Sequence, residues 1–363
     1  MLVDSKMEKI PDSVGKSTSA IAKFIKTNFS TPIDKVRAAY YWTATRISYD
    51  VENQFAINFN ETKEEKIERT LKSHKGVCIN YAEIFNEIAT KAGIKSVVIE
   101  GYTKQNGKAD YVAHAWCGAM INDDWYVFDP TWGSGYVQKN SFVKKLNNAY
   151  FMADPTKIIA THMPFDYLWQ FLGYPVSHQQ FLEGKLLTNK SKPPFDYQLE
   201  IEKYENQTYL EKLKATIERI EIGGVKNALI FDRLANKKAE VQVLTNNNNV
   251  VAFNEIVNEY NQAIDLYNTF IAYRNAQFKP VYIDTVIKEM IQTPYNKLVH
   301  CQDQIATINN IDAANQTAIN SFKKSISKAL LQSKEQLDFV NQYITKTKSQ
   351  RKAMLGQRTF FGL

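Results

Sequence analysis

Two runs of strand character, Tyr111 to Ile121 and Asp124 to Asp129, are separated by nothing but Asn122-Asp123. A connection that short leaves one economical solution, an antiparallel hairpin with a two-residue turn, and Asn and Asp tolerate the left-handed backbone such a turn needs. Turn length sets register. A two-residue turn pairs Ile121 with Asp124 and, counted back along both strands, Trp116 with Asp129. Val112, His114, Trp116 and Gly118 then share one face of the first strand, while Trp125, Val127 and Asp129 share one face of the second. His114 becomes the diagonal neighbour of Asp129, roughly 7–8 Å away at the backbone and within reach of a histidine–carboxylate hydrogen bond. A three-residue turn would send Asp129 to the other face and dissolve the pair.

A thiol stands upstream. Gly76-Val77-Cys78 opens an amphipathic run, Ile79 to Ala92, in which Tyr81, Ile84, Phe85, Ile88 and Ala92 recur at helical spacing. Gly93 suits the position just past the helix end. Cys78 therefore falls at a helix N-terminus, where unpaired N–H groups and the positive end of the dipole favour a thiolate. A thiol, an imidazole and a carboxylate are the parts of an activated nucleophile: one group attacks, the second moves the proton, the third orients the second.

The ordered set resembles the transglutaminase-like superfamily of the papain-like fold group, and within it the kyphoscoliosis-peptidase-like branch. The resemblance rests on Ala39-Tyr40-Tyr41-Trp42 leading to Ile47-Ser48-Tyr49-Asp50, then Gly76 to Ala82, Gly93-Ile94, Gly101-Tyr102, His114-Ala115-Trp116, Trp125-Tyr126 and Asp129 to Tyr136, with a further echo in His162-Met163-Pro164 and Trp169-Gln170. It covers roughly residues 15 to 180, about one domain. Asn80 stands where such motifs often have glycine, and Cys117 where asparagine is common. The resemblance implies an α+β, papain-like/transglutaminase-like domain of N-terminal helices, a cysteine helix and an antiparallel sheet. It implies Cys78 as nucleophile toward a peptide or carboxamide carbonyl, His114 as proton carrier and Asp129 as its orienting group. Reaction would run through a thioester acyl-enzyme that meets water or an amine. The Cys78 N–H is the first oxyanion donor expected, and Tyr81, Trp116 and Trp132 are expected to line the substrate cleft. A protein or peptide substrate follows, with no cofactor and no metal. The alternative is a catalytically silent transglutaminase-like module that binds protein, or a scaffold whose helical half does the work.

Other residues read more plainly. Cys117 falls on the strand face opposite His114 and Cys301 in a helical stretch, so both are expected in packing. His74, His162, His178 and His300 lack a thiol-and-carboxylate context and are expected at the surface or in the core, with a reservation for His162 because of its segment. No Cys/His spacing resembles a zinc site, and no phosphate-cradling glycine loop or EF-hand loop is present. The three cysteines are an odd number and widely spaced, so no disulfide framework is expected. A net charge of +7 is too mild to mark a nucleic-acid binder, although Lys346, Lys348, Arg351, Lys352 and Arg358 concentrate cations late in the sequence. Met1 to Lys16 has no apolar core of a signal, and no run of about 18 apolar residues suggests a span. A cytoplasmic protein is expected on that reading, or an exported one if a signal has been removed.

The texture changes after Lys190-Ser191-Lys192-Pro193-Pro194, which reads as a linker between a domain at 1–190 and a helical bundle domain at 195–363. Thr208-x-x-Glu211 is a capping box leading Tyr209, Leu210, Leu213, Ile217 and Ile220, with Gly223-Gly224 as its stop. A helix from Val225 to about Leu244, with Val241 to Leu244 extended as the alternative, a break at Asn246 to Asn249, and a long stripe from Phe253 to Ile271 are expected next. Val281 to Ile308 reads as a helix kinked or split at Pro294, and Asp312 as the cap of a last helix striped from Ile319 to Ile344. Long helices with short connections pack as antiparallel neighbours, and their outer faces could serve a protein partner.

Overall fold

The computed structural model describes residues 2–55, 61–186, 191, 193–308 and 313–355. Part of the expected linker, the Asp312 cap and Arg358 lie outside them. The chain divides into two compact units, Met1–Lys238 and Ala239–Leu363, and the first is α+β.

Its first half holds helices α1 (Leu2–Glu8), α2 (Thr18–Asn28) and α3 (Pro32–Arg46), strand β1 (Ser48–Tyr49), α4 (Lys63–Ser73), β2 (Lys75–Gly76) and α5 (Cys78–Lys91). The starts of α2 and α3 are written in the sequence. The Ser17 hydroxyl accepts the Ala20 N–H, and the Thr31 hydroxyl accepts the Asp34 N–H with Pro32 in the first turn. Strands β3 (Ser96–Gln105), β4 (Lys108–Ile121) and β5 (Asp124–Phe128) follow, then α6 (Pro130–Ser134), the hairpin β6 (Gly135–Gln138) and β7 (Ser141–Lys144), α7 (Pro155–Ile158), β8 (His162–Pro164) and α8 (His178–Glu183). The main sheet has the order β5-β4-β3-β8, antiparallel at every pairing.

The hairpin register is the one a two-residue turn requires: Ile121 pairs with Asp124 and Cys117 with Phe128. Asn122 and Asp123 take φ of 51° and 68°, the left-handed values expected of that turn. One face of α5 (Tyr81, Ile84, Phe85, Ile88) is buried with Val36 and Tyr40 of α3 and with Ala115, Cys117 and Ala119 of β4. Phe85 stacks on Phe128 at 5.3 Å between ring centroids. Each large apolar side chain buried there contributes about 1.5–3 kcal/mol, so the cysteine helix is held onto the sheet by several such terms at once.

The contact-defined boundary differs from the expected 190–195. Helices α9 (Tyr197–Glu205) and α10 (Tyr209–Gly223) and the start of α11 (Ala228–Asn275) belong to the first unit. Ile201 is buried with Ile99, Trp116 and Leu168, and Ile220, Ile230 and Leu234 with Tyr102 and Phe165. The sheet has an apolar second face, and these helical residues cover it. Arg219 adds a two-pronged pair to the buried Asp166. The change of texture near residue 190 thus marks a change of secondary structure rather than the end of the compact unit.

The second unit contains the remainder of α11, α12 (Asp284–Thr307), α13 (Ala313–Ile344) and α14 (Lys348–Leu355). Ile256 meets Ile305 and Ile319 in one cluster, while Ile271 meets Ile287 and Leu337 in another. Successive long helices therefore run antiparallel as a bundle. One expectation fails here and another is narrowed. Asn246 to Asn249 do not break the chain; α11 is continuous through them. Asn is only a modestly poor helix former, the apolar stripe resumes beyond, and the Gln242 amide donates to Asn246 one turn on. Pro294 does not split α12 either: it is buried inside a single helix. Among the described residues no helix is long and apolar enough to cross a membrane.

Candidate active site

Asp129 follows the last residue of β5 and caps α6, its Oδ1 accepting the Thr131 N–H at 2.8 Å and the Trp132 N–H at 3.0 Å. Asp followed by Pro is a strong start for a helical turn, and the cap leaves Oδ2 for other donors. His114 Nε2 lies 2.8 Å from that Oδ2. Since Nε2 is spent on the carboxylate, the other ring nitrogen is left for Cys78, and the thiol and the imidazole lie close enough that each shifts the other's pKa. Cys78 is the first residue of α5. The structure thus brings the three predicted residues into one chain of contacts, from strand, helix cap and helix start.

Burial works against charge at each of them, and their partners override it. It pushes the Cys78 thiol up, but the His114 bond and charge and the Ala115 N–H hold the thiol below its usual value. It pushes His114 down, but the Asp129 charge and the bonds to Asp129 and Cys78 raise the imidazole to about 10. Burial would raise Asp129, yet His114 and His162 keep its carboxyl well below the usual carboxylate range. A thiolate and an imidazolium are the forms this set favours. Cys117 has no such partner; it is buried, donates to the Ala82 carbonyl, and is pushed up by burial. Cys301 is likewise raised by burial, to about 11.

Asn80 acquires a role that the sequence comparison left open. Its Oδ1 accepts the Val77 N–H at 2.9 Å, tying down the residue before the thiol. Gly76 is required by the same arrangement, because a Cβ there would lie 2.6 Å from the Asn80 Cβ.

Cys78, His114 and Trp132 line a cleft of about 790 Å³, together with Tyr49, Tyr111 and Arg233. Trp132 stands among the residues lining the cleft. Tyr81 and Trp116 are not on the cleft: both are fully buried. The Tyr81 hydroxyl donates inward to the Ile47 carbonyl, and Trp116 packs against His114 from inside the sheet. The reason is geometric. Three residues on from Cys78, the helix has turned Tyr81 toward the core, and a strand residue beside His114 on its face lies under the sheet's covering layer.

His162 corrects the reading that left it outside the site. It is 1% exposed, and its Nε2 lies 3.1 Å from the same Asp129 Oδ2. Only its place in a family-like segment pointed there. His178 is a core histidine, between the Tyr102 hydroxyl and the Phe165 carbonyl. His300 is exposed beside Glu259 and His74 ends α4. His114, Asp129 and His162 also form the one grouping among the described residues able to hold a metal ion, one ligand atom each within 4.8 Å. Those atoms are already engaged in the hydrogen bonds above.

Residues 19–130, which include both the thiol and the carboxylate, match the family model of the transglutaminase-like superfamily. This region is a transglutaminase-like domain. Kyphoscoliosis peptidase of Mus musculus is 33% identical over 157 residues, 41% of this chain and 23% of that protein. The Homo sapiens protein of the same name is 31% identical over 159 residues, 42% of this chain and 24% of its own length. These likenesses support the kyphoscoliosis-peptidase-like branch, and the chain spans about a quarter of the length of these relatives. The crystal structure of a TGase is 19% identical, covering 39% of this chain and 36% of that one at a TM-score of 0.27, a likeness too small to add to the fold seen directly.

Proposed function

We propose that this domain performs acyl transfer from peptide or carboxamide groups of a protein substrate, with Cys78 as nucleophile, His114 as general base and acid, and Asp129 as orienting carboxylate. The observation that carries this reading is His114, bonded at 2.8 Å to a fully buried Asp129 and lining, with the Cys78 thiol whose pKa it lowers, one cleft. The Cys78 thiolate, its proton already held by His114, bonds to the substrate carbonyl carbon while the carbonyl π electrons move onto oxygen. The tetrahedral oxyanion meets the Cys78 N–H at the start of α5. The C–N bond then breaks, His114 returns the proton to the leaving amine, and a thioester remains. Water or a second amine attacks that thioester, giving hydrolysis or cross-linking through the same three residues.

The test is alkylation of Cys78 by iodoacetamide across pH, read residue by residue by mass spectrometry in the wild type and in His114→Ala. Cys78 should react fast well below about pH 8.5, the ordinary thiol pKa, and lose that advantage in His114→Ala, while Cys117 and Cys301 stay slow. A Cys78 no faster than an ordinary thiol, or indifferent to His114, removes the enzymatic reading and leaves a binding module.

A further inference from the structure

We propose that His162 is a positioning residue: it acts through Asp129 to keep His114 aligned on Cys78. The proposal rests on the catalytic reading above and concerns a residue that takes no part in the proton transfers.

The buried carboxylate has four donors and no solvent. Oδ1 accepts from the Thr131 and Trp132 backbone N–H groups. Oδ2 is flanked by His114 Nε2 at 2.8 Å and His162 Nε2 at 3.1 Å. With Oδ1 fixed by backbone, the remaining freedom is rotation that swings Oδ2, and His162 is the second donor that opposes it. Neutral His162 must carry its proton on Nε2 to serve. Thr161 Oγ1 lies 2.9 Å from Nδ1 and is suited to donate there, its other acceptor being the more distant Ile158 carbonyl at 3.2 Å. Burial and the nearby His114 charge together keep His162 in the neutral form despite Asp129.

Its ring also sets a spacing. His114 lies alongside Trp116 and Trp132, at centroid distances of 5.9 and 5.6 Å. His162 stands edge-on to both indoles, 5.1 Å from Trp116 and 4.7 Å from Trp132. The backbone beneath is anchored: β3 runs between the two histidine strands, pairing Gly101 with His114 on one side and Thr103 with His162 on the other. The two imidazoles therefore approach one carboxylate from opposite edges of a single strand. Gly101 permits it, because a Cβ there would lie 2.1 Å from the Met163 carbonyl and 2.6 Å from the Trp116 ring.

The experiment measures the Cys78 alkylation rate against pH in the wild type, His162→Phe, His162→Gln, Thr161→Val and Asp129→Asn, and in the double variant His162→Phe/Asp129→Asn. His162→Phe keeps the ring and loses the donor; His162→Gln keeps an N–H near the Nε2 position. The expected result is a loss of about tenfold in His162→Phe at pH 6–7, largely restored in His162→Gln. Thr161→Val should lose a few-fold. In the Asp129→Asn background, His162→Phe should have no further effect, since coupled residues are not additive. Wild-type rates in His162→Phe, a rise, a failure of His162→Gln to restore, or a full tenfold effect without the Asp129 carboxylate each overturn the proposal. Should His162→Phe not fold, Thr161→Val decides, and an unchanged rate there counts against it. A wild-type Cys78 that ignores His114→Ala overturns the catalytic reading as well, which separates the two failures.

Discussion

Replacing Asp129 by Asn should uncouple reactivity from stability. The Asn carbonyl can inherit Oδ1 and keep the two backbone N–H bonds that start α6. Its amide then stands where Oδ2 was, facing His114 and His162 with donors instead of an acceptor. Both rings must present a lone pair there, which moves the His114 proton to the nitrogen facing Cys78, and a base so protonated cannot take the thiol proton. Cys78 then reverts toward an ordinary thiol, about 0.3% ionised at pH 6 if its pKa is near 8.5. A roughly 100-fold loss of alkylation rate at pH 6 is expected. Stability moves far less. Two charge-assisted bonds become neutral ones, a loss of about 1–1.5 kcal/mol each, while the cost of burying a carboxylate, several kcal/mol, disappears. The net change should stay within about 2 kcal/mol, a shift of less than about 8 °C in Tm for a unit this large. Mass-spectrometric alkylation and a thermal melt on the same sample read both quantities. Retained low-pH reactivity, or a variant that unfolds with the loss, would refute the reasoning.

Other outcomes follow from the same geometry. His114→Ala leaves Asp129 buried without its nearest cationic partner and opens a cavity, so it should cost about 3 kcal/mol in urea unfolding at pH 7, more than Asp129→Asn. The pH dependence of stability has opposing parts. A raised His114 contributes fully below about pH 6.5 and is lost as pH rises through about 10. A depressed Cys78 contributes above about 8.5 and is lost as pH falls through its folded value. Above about 8.5 only the His114 slope remains, so denaturation midpoints should decline from there as pH rises toward about 10, and His114→Ala should abolish that decline. Gly101→Ala forces β8 off the sheet and should cost more than about 3 kcal/mol or yield no folded protein by circular dichroism. Asn247→Ala with Asn248→Ala, both exposed in the middle of α11, should raise stability by about 1 kcal/mol together, whereas a turn there would make the pair destabilising.

Much of the site was legible because its determinants are local. The length of the Asn122-Asp123 turn sets the β4–β5 register, and the register puts His114 and Asp129 on one face. A glycine, a cap and a helical stripe place Cys78 at the start of α5. His162 was hidden for the opposite reason. It arrives on a three-residue strand that joins the far edge of β3, and no local pattern announces which strand a short segment will join. Tyr81 and Trp116 illustrate a different limit: an aromatic beside a reactive residue in sequence can face either the cleft or the core, and packing chose the core for both.

The sequence by itself determined the secondary structure around the site, the order of thiol, imidazole and carboxylate, and the pairing register that makes their meeting possible, since caps, turns and side-chain periodicity act within a few residues. The tertiary structure decided the rest. It drew α9 and α10 onto the sheet and so carried the compact unit past residue 190, and it buried Asp129 beneath two imidazoles rather than one. Burial and long-range partnership depend on which apolar faces find each other in the folded chain, and residues far apart in sequence settle that together.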